Sequence, residues 1–303
     1  MTSVTLRIVG VATVFIAFMI TGCGDRQSDD VPQESVDAAL PEPAASPFCL
    51  GLQSARDEVL VGEPLTLLAT LVNCSPGAAQ ARDLLNPEYR LLSLSMRRPG
   101  ADEDIYIEPV VSRDGRGRGN LTLAPGELLA AYVPAYIGTS GWQLEEEGRY
   151  TFRADYWFDD VQLTSNAVQV DVDYPAEITL ADAAEVFMTP PAPLAFYMNG
   201  GAGSAILDEI VAAWPESPHA DYARLALAVE AAANTEQPRV QACRALEAAT
   251  VGIDFDWVVA LRALQSLSSC YRRAGMHPES MRVVSEFLER FPDAAKVIEN
   301  RVN

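Results

Sequence analysis

The stretch Gly148–Phe158, which reads GRYTFRADYWF, alternates apolar and polar side chains along most of its length. Phe152, Ala154 and Tyr156 fall on one side of an extended chain, and the charged residues between them fall on the other. Because successive side chains of a strand point to opposite faces, the pattern predicts a strand with one buried face and one wet face. Such a division is typical of antiparallel sheets, so this stretch indicates an antiparallel rather than a parallel sheet.

Segments of the same kind precede and follow this strand and are rich in Val, Leu, Tyr and Thr. Turns that contain Gly, Pro or Asp separate them at intervals of about ten residues, which favours an antiparallel sandwich over strands alternating with helices. The sequence therefore predicts an all-β domain, a β-sandwich, over residues 48–174. The segments are EPLTLLATLVNC (63–74), YRLLSLSMRRPG (89–100), IYIEPVV (105–111), LTLAPGELLAAYVPAYI (121–137) and VQLTSNAVQVDVDY (161–174).

Four turn motifs carry a resemblance of this region to bacterial immunoglobulin-like sandwich modules. The resemblance implies an immunoglobulin-like fold for residues 48–174. Since such modules are mostly interaction or spacer domains, it implies no particular ligand. The motifs are Val61-Gly62-Glu63-Pro64, Pro125-Gly126-Glu127, Gly148-Arg149-Tyr150 and Ser165-Asn166.

Beyond Pro175 the composition changes to Ala, Leu, Glu and Arg, and the apolar residues recur with a period of about 3.6. This periodicity predicts a second, all-α domain over residues 178–303. Gly275 ends one of its helices and Pro278 begins the next, so the two form a helical hairpin. The predicted helices cover residues 204–214, 221–233, 238–250, 257–274 and 278–291.

The final hairpin looks like a tetratricopeptide repeat, a pair of helices that stacks on its neighbours. Trp214-Pro215-Glu216 is echoed by Phe291-Pro292-Asp293 about two such units later, which favours a short stack. Stacks of this kind expose a concave groove that binds protein segments, and the resemblance implies that role here. The exposure pattern offers Tyr222, Arg224 and Arg262 as candidate partner-binding residues. The residues that match the repeat are Leu264, Leu267, Ser268, Tyr271, Ser280, Val284, Phe287 and Pro292, although Phe287 is bulky where the repeat has a small residue.

Five cysteines allow two internal pairs and leave one over. The midpoint of Cys49 and Cys74 falls in the predicted turn at 60–63, so a hairpin would bring the two face to face. The midpoint of Cys243 and Cys270 falls beside the connection between two predicted helices, so an antiparallel helix pair would bring them to equal height. Cysteines pair by default in an oxidising location, and the sequence predicts the disulfides Cys49–Cys74 and Cys243–Cys270.

The N-terminal segment has the parts of a secretory signal: a positive start with Arg7, then an apolar run too short to span a membrane as a mature helix. The run ends in Ile20-Thr21-Gly22-Cys23, which resembles the lipobox of bacterial lipoproteins. By that resemblance residues 1–22 are a signal peptide, and Cys23 becomes an acylated N-terminus that anchors the protein to a membrane. An ordinary signal peptide with an incidental cysteine is the alternative.

Two features that follow Cys23 bear on the location of the protein. Gly24 stands where enteric bacteria place an aspartate for retention at the inner membrane. Its presence favours the outer membrane, with the protein facing the periplasm or the surface. Residues 23–47 are rich in Asp, Glu, Ser, Pro and Ala and have almost nothing to bury, so we expect a disordered acidic tether.

The charge balance and the motif content limit the functions open to this chain. Its 22 basic and 42 acidic residues give a formal charge of −20, which argues against nucleic acid as a partner. His219 and His277 each stand beside a proline at a predicted helix start, where a capping or solvent-exposed role is expected. Since no nucleophile, metal or phosphate motif is present, the sequence predicts a protein that is not an enzyme and uses no metal or cofactor.

Together these patterns predict a membrane-anchored envelope lipoprotein that acts as a scaffold or adaptor for another protein. The alternative is a lipoprotein whose β-sandwich binds a ligand, either a glycan or a protease. The basic stretch Arg113–Gly119 could contact an acidic partner. Five aromatic residues could form a platform for sugar rings, although core packing also explains most of them: Tyr106, Tyr136, Trp142, Tyr156 and Trp157.

Overall fold

The computed structural model describes residues 46–82, 84–113, 119–158, 161–233, 240–251 and 256–292. By its contacts the chain divides into residues 1–44 and residues 45–303, and every described residue belongs to the second unit. The predicted signal peptide, the lipobox with Cys23 and almost all of the acidic tether lie outside the described residues.

Within the described residues, strands occupy the first part of the unit and helices occupy the second. The strands are β1 (Phe48–Gln53), β2 (Glu58–Leu60), β3 (Thr66–Asn73), β4 (Ala79–Arg82), β5 (Leu92–Arg97), β6 (Ile105–Ile107), β7 (Asn120–Leu123), β8 (Leu128–Pro134), β9 (Ile137–Gly138), β10 (Gly141–Trp142), β11 (Gly148–Phe158), β12 (Val161–Thr164) and β13 (Val168–Asp173). The helices are α1 (Ile178–Met188), α2 (Ala192–Tyr197), α3 (Ser204–Ala213), α4 (Pro218–Ala233), α5 (Val240–Val251), α6 (Trp257–Arg273) and α7 (His277–Arg290).

The strands form two main sheets. A smaller antiparallel sheet has the order β1-β3-β8. The larger sheet has the order β2-β13-β11-β5-β6, and β12 pairs with the final residues of β11. Its pairings are antiparallel except that of β2 with β13, which is parallel. The antiparallel sheet that the sequence predicts is thereby confirmed, and the smaller pairs β4–β7 and β9–β10 add to it.

The stretch GRYTFRADYWF forms β11 and alternates as its sequence predicts. Its apolar residues Phe152, Ala154 and Tyr156 are fully buried, whereas the charged residues between them are half-buried. Leu67 and Leu71 of the smaller sheet join them in one hydrophobic core. The strand region therefore consists of two sheets with a shared interior, which is the arrangement of a sandwich.

The same core continues into the helices. The rings of Tyr136 and Trp142 lie 5.2 Å apart, and Phe187 of α1 stands 6.0 Å from Trp142. Phe196 of α2 packs 5.7 Å from Tyr136 and 5.7 Å from Tyr222 of α4. The strands and the helices thus share one interior across the predicted domain boundary. The division into two domains, at residues 48–174 and 178–303, stays a prediction.

The route of the chain between Cys49 and Cys74 differs from the predicted hairpin. A turn lies where the sequence places it, since the amide of Glu63 donates to the carbonyl of Leu60 at 2.9 Å. This turn joins β2 to β3, however, and β2 belongs to the larger sheet. β1 still pairs with β3, and Cys49 lies opposite Val72. The disulfide forms because Cys74 follows directly after β3, with the two Cα atoms 5.9 Å apart.

The five predicted helices correspond to α3 to α7, with ends that agree to within one turn. The short helices α1 and α2 have no counterpart in the prediction. Cys243 near the start of α5 and Cys270 near the end of α6 form the second disulfide, with Cα atoms 5.6 Å apart. This pairing of a helix start with a helix end is the juxtaposition that an antiparallel pair creates.

Candidate functional site

The three candidate partner-binding residues occupy different environments. Tyr222 is only 3% exposed, so the exposure on which its selection rests is wrong. Arg224 is held by the carboxylate of Asp221 at 2.6 Å and also donates to the carbonyl of Pro215. Arg262 is half-buried and lines a recess in the surface. A functional site is therefore best sought around Arg262.

A groove of about 410 Å³ runs between α4 and α6, and we call it the helical groove. Small residues on α4 leave room between the two helices, and α6 contributes side chains that donate hydrogen bonds. Arg273 donates to the carbonyl of Ala232 at 2.7 Å, which joins the two walls. The lining residues are Val229, Ala232 and Ala233 of α4 and Arg262, Gln265, Ser266, Ser269 and Arg273 of α6.

A second recess of about 370 Å³, the junction cleft, lies between the strand region and α2 and α6. Its apolar lining includes Leu94, Ile107, Val133 and Ile137 from the strand region. Arg262 also lines this cleft, so one side chain borders both recesses. The polar lining consists of Asn86, Glu88, Arg113, Tyr132, Tyr197, Asn199 and Arg262.

Hydrogen bonds hold the polar side of the junction cleft in place. The hydroxyl of Tyr197 donates to one carboxylate oxygen of Glu88 at 2.5 Å, and Arg113 donates to the other at 2.7 Å. Arg262 donates to the Tyr197 carbonyl at 3.3 Å and to the Asn199 side chain at 3.5 Å. Burial, followed by the contact with Glu88, raises the pKa of Tyr197, so its hydroxyl stays protonated and able to donate.

The guanidinium of Arg262 has the chemistry to bind a carboxylate. The planar guanidinium presents several donors in a fixed geometry that matches a carboxylate, and its contacts with Tyr197 and Asn199 are long. Gln265 lies one turn further along α6 and donates to the hydroxyl of Tyr132 at 3.2 Å, which positions α6 against β8. The two recesses together offer an apolar floor with a basic edge.

No local sequence pattern points to Glu88 or Tyr197 as members of this site. The two residues are 109 positions apart and belong to the strand region and to α2. Their contact arises only because α2 packs on the strand region, an arrangement that depends on the shared core. A half-buried tyrosine beside a carboxylate is recognised only from the folded structure.

His219 is fully buried, which corrects the expectation of a capping or solvent-exposed role. Its ring packs 5.7 Å from the ring of Phe187, and neither ring nitrogen has a hydrogen-bond partner in the structure. Burial lowers the pKa of His219 to about 4, and the backbone of Val61 opposes the shift without completing a hydrogen bond. His219 is therefore neutral at pH 7 and belongs to the interior. His277, at the start of α7, is exposed as expected.

Two buried carboxylates stand where the β2–β3 turn meets the start of α6. Glu63 accepts a hydrogen bond from the Leu60 amide at 3.0 Å and faces Arg56 at 3.5 Å. Asp256 caps α6 by accepting from the amides of Val258 and Val259. Burial raises the pKa of both carboxyl groups, while these partners oppose the shift. Their partners are structural, so we assign both groups to the junction of strands and helices.

The five aromatic residues proposed as a sugar platform divide into two groups. Tyr136, Trp142 and Tyr156 are buried in the core, as their alternative explanation requires. Tyr106 and Trp157 are 54% and 39% exposed, and both line a recess on the outside of the larger sheet. Core packing thus explains three of the five residues and leaves two unexplained.

None of the described helices has the length and apolar character needed to cross a membrane. The described residues also contain no group of three or more His, Cys, Asp or Glu side chains placed to hold a metal ion.

Comparisons with known proteins leave the family of this chain open. No protein-family description matches the sequence, and no curated protein matches it either. The solved structures that resemble parts of it have low sequence identity and low TM-scores.

Three of these structures illustrate the kinds of protein that share partial similarity with this chain. A β-glucosidase from Listeria innocua in complex with glucose is 17% identical, with a TM-score of 0.24, over 42% of this chain and 16% of the glucosidase. The sporulation control protein Spo0M from Bacillus subtilis is 12% identical, with a TM-score of 0.28, over 46% of this chain and 55% of Spo0M. A CARDB domain from Pyrococcus furiosus is 12% identical, with a TM-score of 0.23, over 42% of this chain and 94% of that domain. At these TM-scores the similarities carry no argument about this chain.

Proposed function

We propose that this protein is an exported envelope lipoprotein that acts as an adaptor and binds an acidic segment of another envelope protein around Arg262. The observation that carries the proposal is the position of Arg262, which lines both the helical groove and the junction cleft. A segment lying in the helical groove could place a carboxylate on Arg262 and an apolar side chain in the cleft. No chemical reaction by this protein is part of the proposal.

The arrangement of the helices supports a binding role. In this proposal α4 with α5 and α6 with α7 are two successive tetratricopeptide-like repeats, and α3 ends the repeat before them. The first helices of the two repeats are then α4 and α6, which are also the walls of the helical groove. First helices line the concave surface on which such stacks bind protein segments. The strand region serves as an immunoglobulin-like spacer.

The distribution of charge supports an acidic partner. The whole chain has a formal charge of −20, yet Arg113, Arg262 and Arg273 line the two recesses. In a strongly acidic protein, a basic recess offers the place where an approaching carboxylate is not repelled. Glu88, the acidic residue in the cleft lining, is already bound to Arg113 and Tyr197.

The anchor is a separate part of the proposal and has its own test. Acylation of Cys23 would hold the protein at a membrane, with residues 24–47 as the tether. We expect Cys23→Ala to abolish incorporation of labelled palmitate and to release the protein into the soluble fraction. Unchanged labelling and membrane association in this variant would refute the anchor and leave the groove proposal intact.

Crosslinking in living cells tests the adaptor role. A photo-crosslinking amino acid replaces Ser266, which lines the helical groove, or Met281, which is 67% exposed on α7. We expect a discrete crosslinked partner from position 266 and a different pattern, or none, from position 281. The same products at both positions would mean that the groove has no special role.

A charge reversal makes the test specific for Arg262. Arg262→Glu should reduce the crosslink from position 266 at least tenfold, because a carboxylate in the groove would then be repelled. Arg272→Glu changes the charge of α6 equally at an exposed position that does not line either recess. A crosslink that survives Arg262→Glu, or falls equally in both variants, contradicts the proposal.

A further inference from the structure

The larger sheet has an outer face that carries two exposed aromatic rings. Its inner face belongs to the shared core, whereas the outer face borders a recess of about 750 Å³ that we call the outer-face groove. Tyr106 on β6 and Trp157 on β11 line this groove and are 54% and 39% exposed. Most large apolar side chains of the sheet are buried, and the two exposed rings line the same groove.

The register of the strands fixes where the two rings stand. Tyr106 lies opposite Ser95 of β5, and Ser95 lies opposite Arg153 of β11. Trp157 is on the same side of β11 as Arg153, four residues further along the strand. Four residues along a strand and two strands across place the Cα atoms of Tyr106 and Trp157 about 17 Å apart. The rings therefore stand near opposite ends of the groove.

The surface between the two rings is polar. Its floor contains Ser93, Ser95 and Asp155, and its edges contain Arg90, Asp104 and Glu108. The groove thus has an aromatic ring near each end and hydrogen-bonding side chains between the two rings.

Neighbouring side chains hold the three carboxylates of the groove. Thr164 donates to one oxygen of Asp155 at 2.5 Å, and Thr139 donates to one oxygen of Glu108 at 2.8 Å. Arg97 and Arg153 donate to the two oxygens of Asp104 at 2.8 Å and 3.1 Å. Fixed carboxylates are good acceptors for hydroxyl groups of a ligand, because no side-chain freedom is lost when the ligand binds.

We propose that the outer-face groove binds a neutral oligosaccharide of gluco configuration. The faces of such pyranose rings carry only C–H groups and stack on aromatic rings, while their hydroxyl groups point outward to donors and acceptors. Arg97 and Arg153, which hold Asp104, and Arg90 balance the three carboxylates, so the groove has no excess positive charge that would select an anionic polysaccharide. The separation of the two rings requires an oligosaccharide, since a single sugar unit cannot contact both.

This inference is independent of the adaptor role. The outer-face groove and the two recesses around Arg262 are lined by different residues, apart from Pro109, which borders both the groove and the junction cleft. A protein could bind an envelope partner through the helices and a glycan through the sheet. Failure of one proposal leaves the other standing.

Calorimetric titration of the purified full chain with cellohexaose and with chitohexaose tests the inference. We expect saturable binding of at least one hexamer, and binding of glucose at least tenfold weaker. Trp157→Ala and Tyr106→Ala should each weaken the hexamer at least tenfold, whereas Trp157→Phe should retain more affinity than Trp157→Ala. Circular dichroism spectra like that of the wild type establish that each variant is folded.

Tyr174→Ala is the matched control, because Tyr174 is 55% exposed and does not line the groove. Arg262→Glu is a second control, and neither variant should change the affinity for the hexamer. Absence of binding by both neutral hexamers overturns the inference. Equal affinity for a hexamer of galacturonic acid, or unchanged affinity after Trp157→Ala, overturns it as well.

Discussion

The strand region and the helical region each contain one disulfide, and the two bonds differ in their surroundings. Cys49–Cys74 closes a separation of 25 residues, and both of its cysteines are exposed. Cys243–Cys270 closes a separation of 27 residues, and both of its cysteines are fully buried. Because the entropy removed from the unfolded chain depends on loop length, this contribution is nearly the same for both. A difference between the stabilities that the two disulfides contribute therefore reflects their burial.

The side chains that the two regions bury also differ in size. The strand region buries large side chains such as Tyr136, Tyr150 and Phe152. The helical region buries many alanines, which bring helices close together but contribute little apolar area each. The buried disulfide between α5 and α6 contributes both packing and a covalent connection in a region where the alanine side chains bury little apolar area. The buried alanines of the helices include Ala220, Ala223, Ala226, Ala232, Ala260 and Ala263.

Removal of the buried disulfide should have the largest effect. We expect the double variant Cys243→Ala, Cys270→Ala to lose about 5 kcal/mol of unfolding free energy, from loop entropy together with a cavity where the sulfur atoms packed. Denaturant unfolding followed by far-ultraviolet circular dichroism measures the loss. A loss no larger than that for the exposed disulfide would contradict the comparison.

Removal of the exposed disulfide should cost less, about 3.5 kcal/mol, because only the loop entropy is lost. The same unfolding measurement on the double variant Cys49→Ala, Cys74→Ala gives the value. A mild thiol reductant without denaturant should also open Cys49–Cys74 well before Cys243–Cys270, because the attacking thiolate needs access to sulfur. Alkylation and mass spectrometry identify the free thiols, and simultaneous reduction of both bonds would contradict the assigned burial.

The interior where the two regions meet should respond to acid through His219. Its pKa is lowered from 6.5 to about 4 in the folded protein, so the unfolded chain binds a proton in this pH range that the folded chain does not. The stability contributed by neutral His219 is complete above about pH 6.5 and is lost as the pH falls towards 4. The loss is on the order of 3 kcal/mol between pH 7 and pH 4.

Chemical denaturation at several pH values checks this response against the variant His219→Leu. The raised pKa values of Glu63 and Asp256 act in the opposite direction, since protonation of these carboxyls stabilises the folded state as the pH falls. Subtracting the unfolding free energy of the variant from that of the wild type at each pH removes the contribution of these two carboxyls. Wild type should lose more stability than the variant below pH 6.5, and parallel pH curves would show that His219 is not buried as described.

The contact between the β2–β3 turn and α1 should be visible in a pair of glycine substitutions. Gly62 has a φ of 84°, and a Cβ there would lie 2.8 Å from the Cβ of Ala184 and 2.9 Å from its Cα. Gly126 has a similar φ of 81°, but no heavy atom within 4 Å of such a Cβ. Gly62→Ala should therefore destabilise by about 2 kcal/mol more than Gly126→Ala, since both carry the cost of positive φ and only the first collides with α1.

Thermal or denaturant unfolding of the two variants gives the difference directly. Equal destabilisation would mean that the strand region and α1 do not pack together at Gly62, and the shared interior would then lose one of its contacts. A larger loss at Gly126 would reverse the expected order and contradict the assigned geometry.

Sequence patterns predicted those parts of the fold that depend on local periodicity. The alternation in Gly148–Phe158 identified the central strand, and the 3.6-residue period located α3 to α7. The midpoints of the cysteine pairs led to both disulfides. The chain between the paired strands β1 and β3, however, also forms β2 of the other sheet. A midpoint depends only on distance along the chain, so it does not reveal that an intervening strand joins another sheet.

Features set by tertiary packing were not accessible in the same way. His219 lies in the first turn of α4, a position that in the sequence suggests exposure. In the folded protein this turn contacts Val61 and Phe187, and His219 is buried there. Tyr222 reads as a surface residue for the same reason, since its burial depends on Phe196. Arg262 was selected for its exposure, but its place between two recesses follows from the packing of α6 on the strand region.

In the proposed adaptor role, the recesses around Arg262 hold an acidic segment of an envelope protein. The most direct measurement is the affinity of the purified full chain for a synthetic peptide that carries the segment crosslinked from position 266. We expect Arg262→Glu to weaken this affinity at least tenfold, Arg272→Glu to leave it unchanged, and added salt to weaken wild-type binding. Equal affinity of the wild type and Arg262→Glu would contradict the claim.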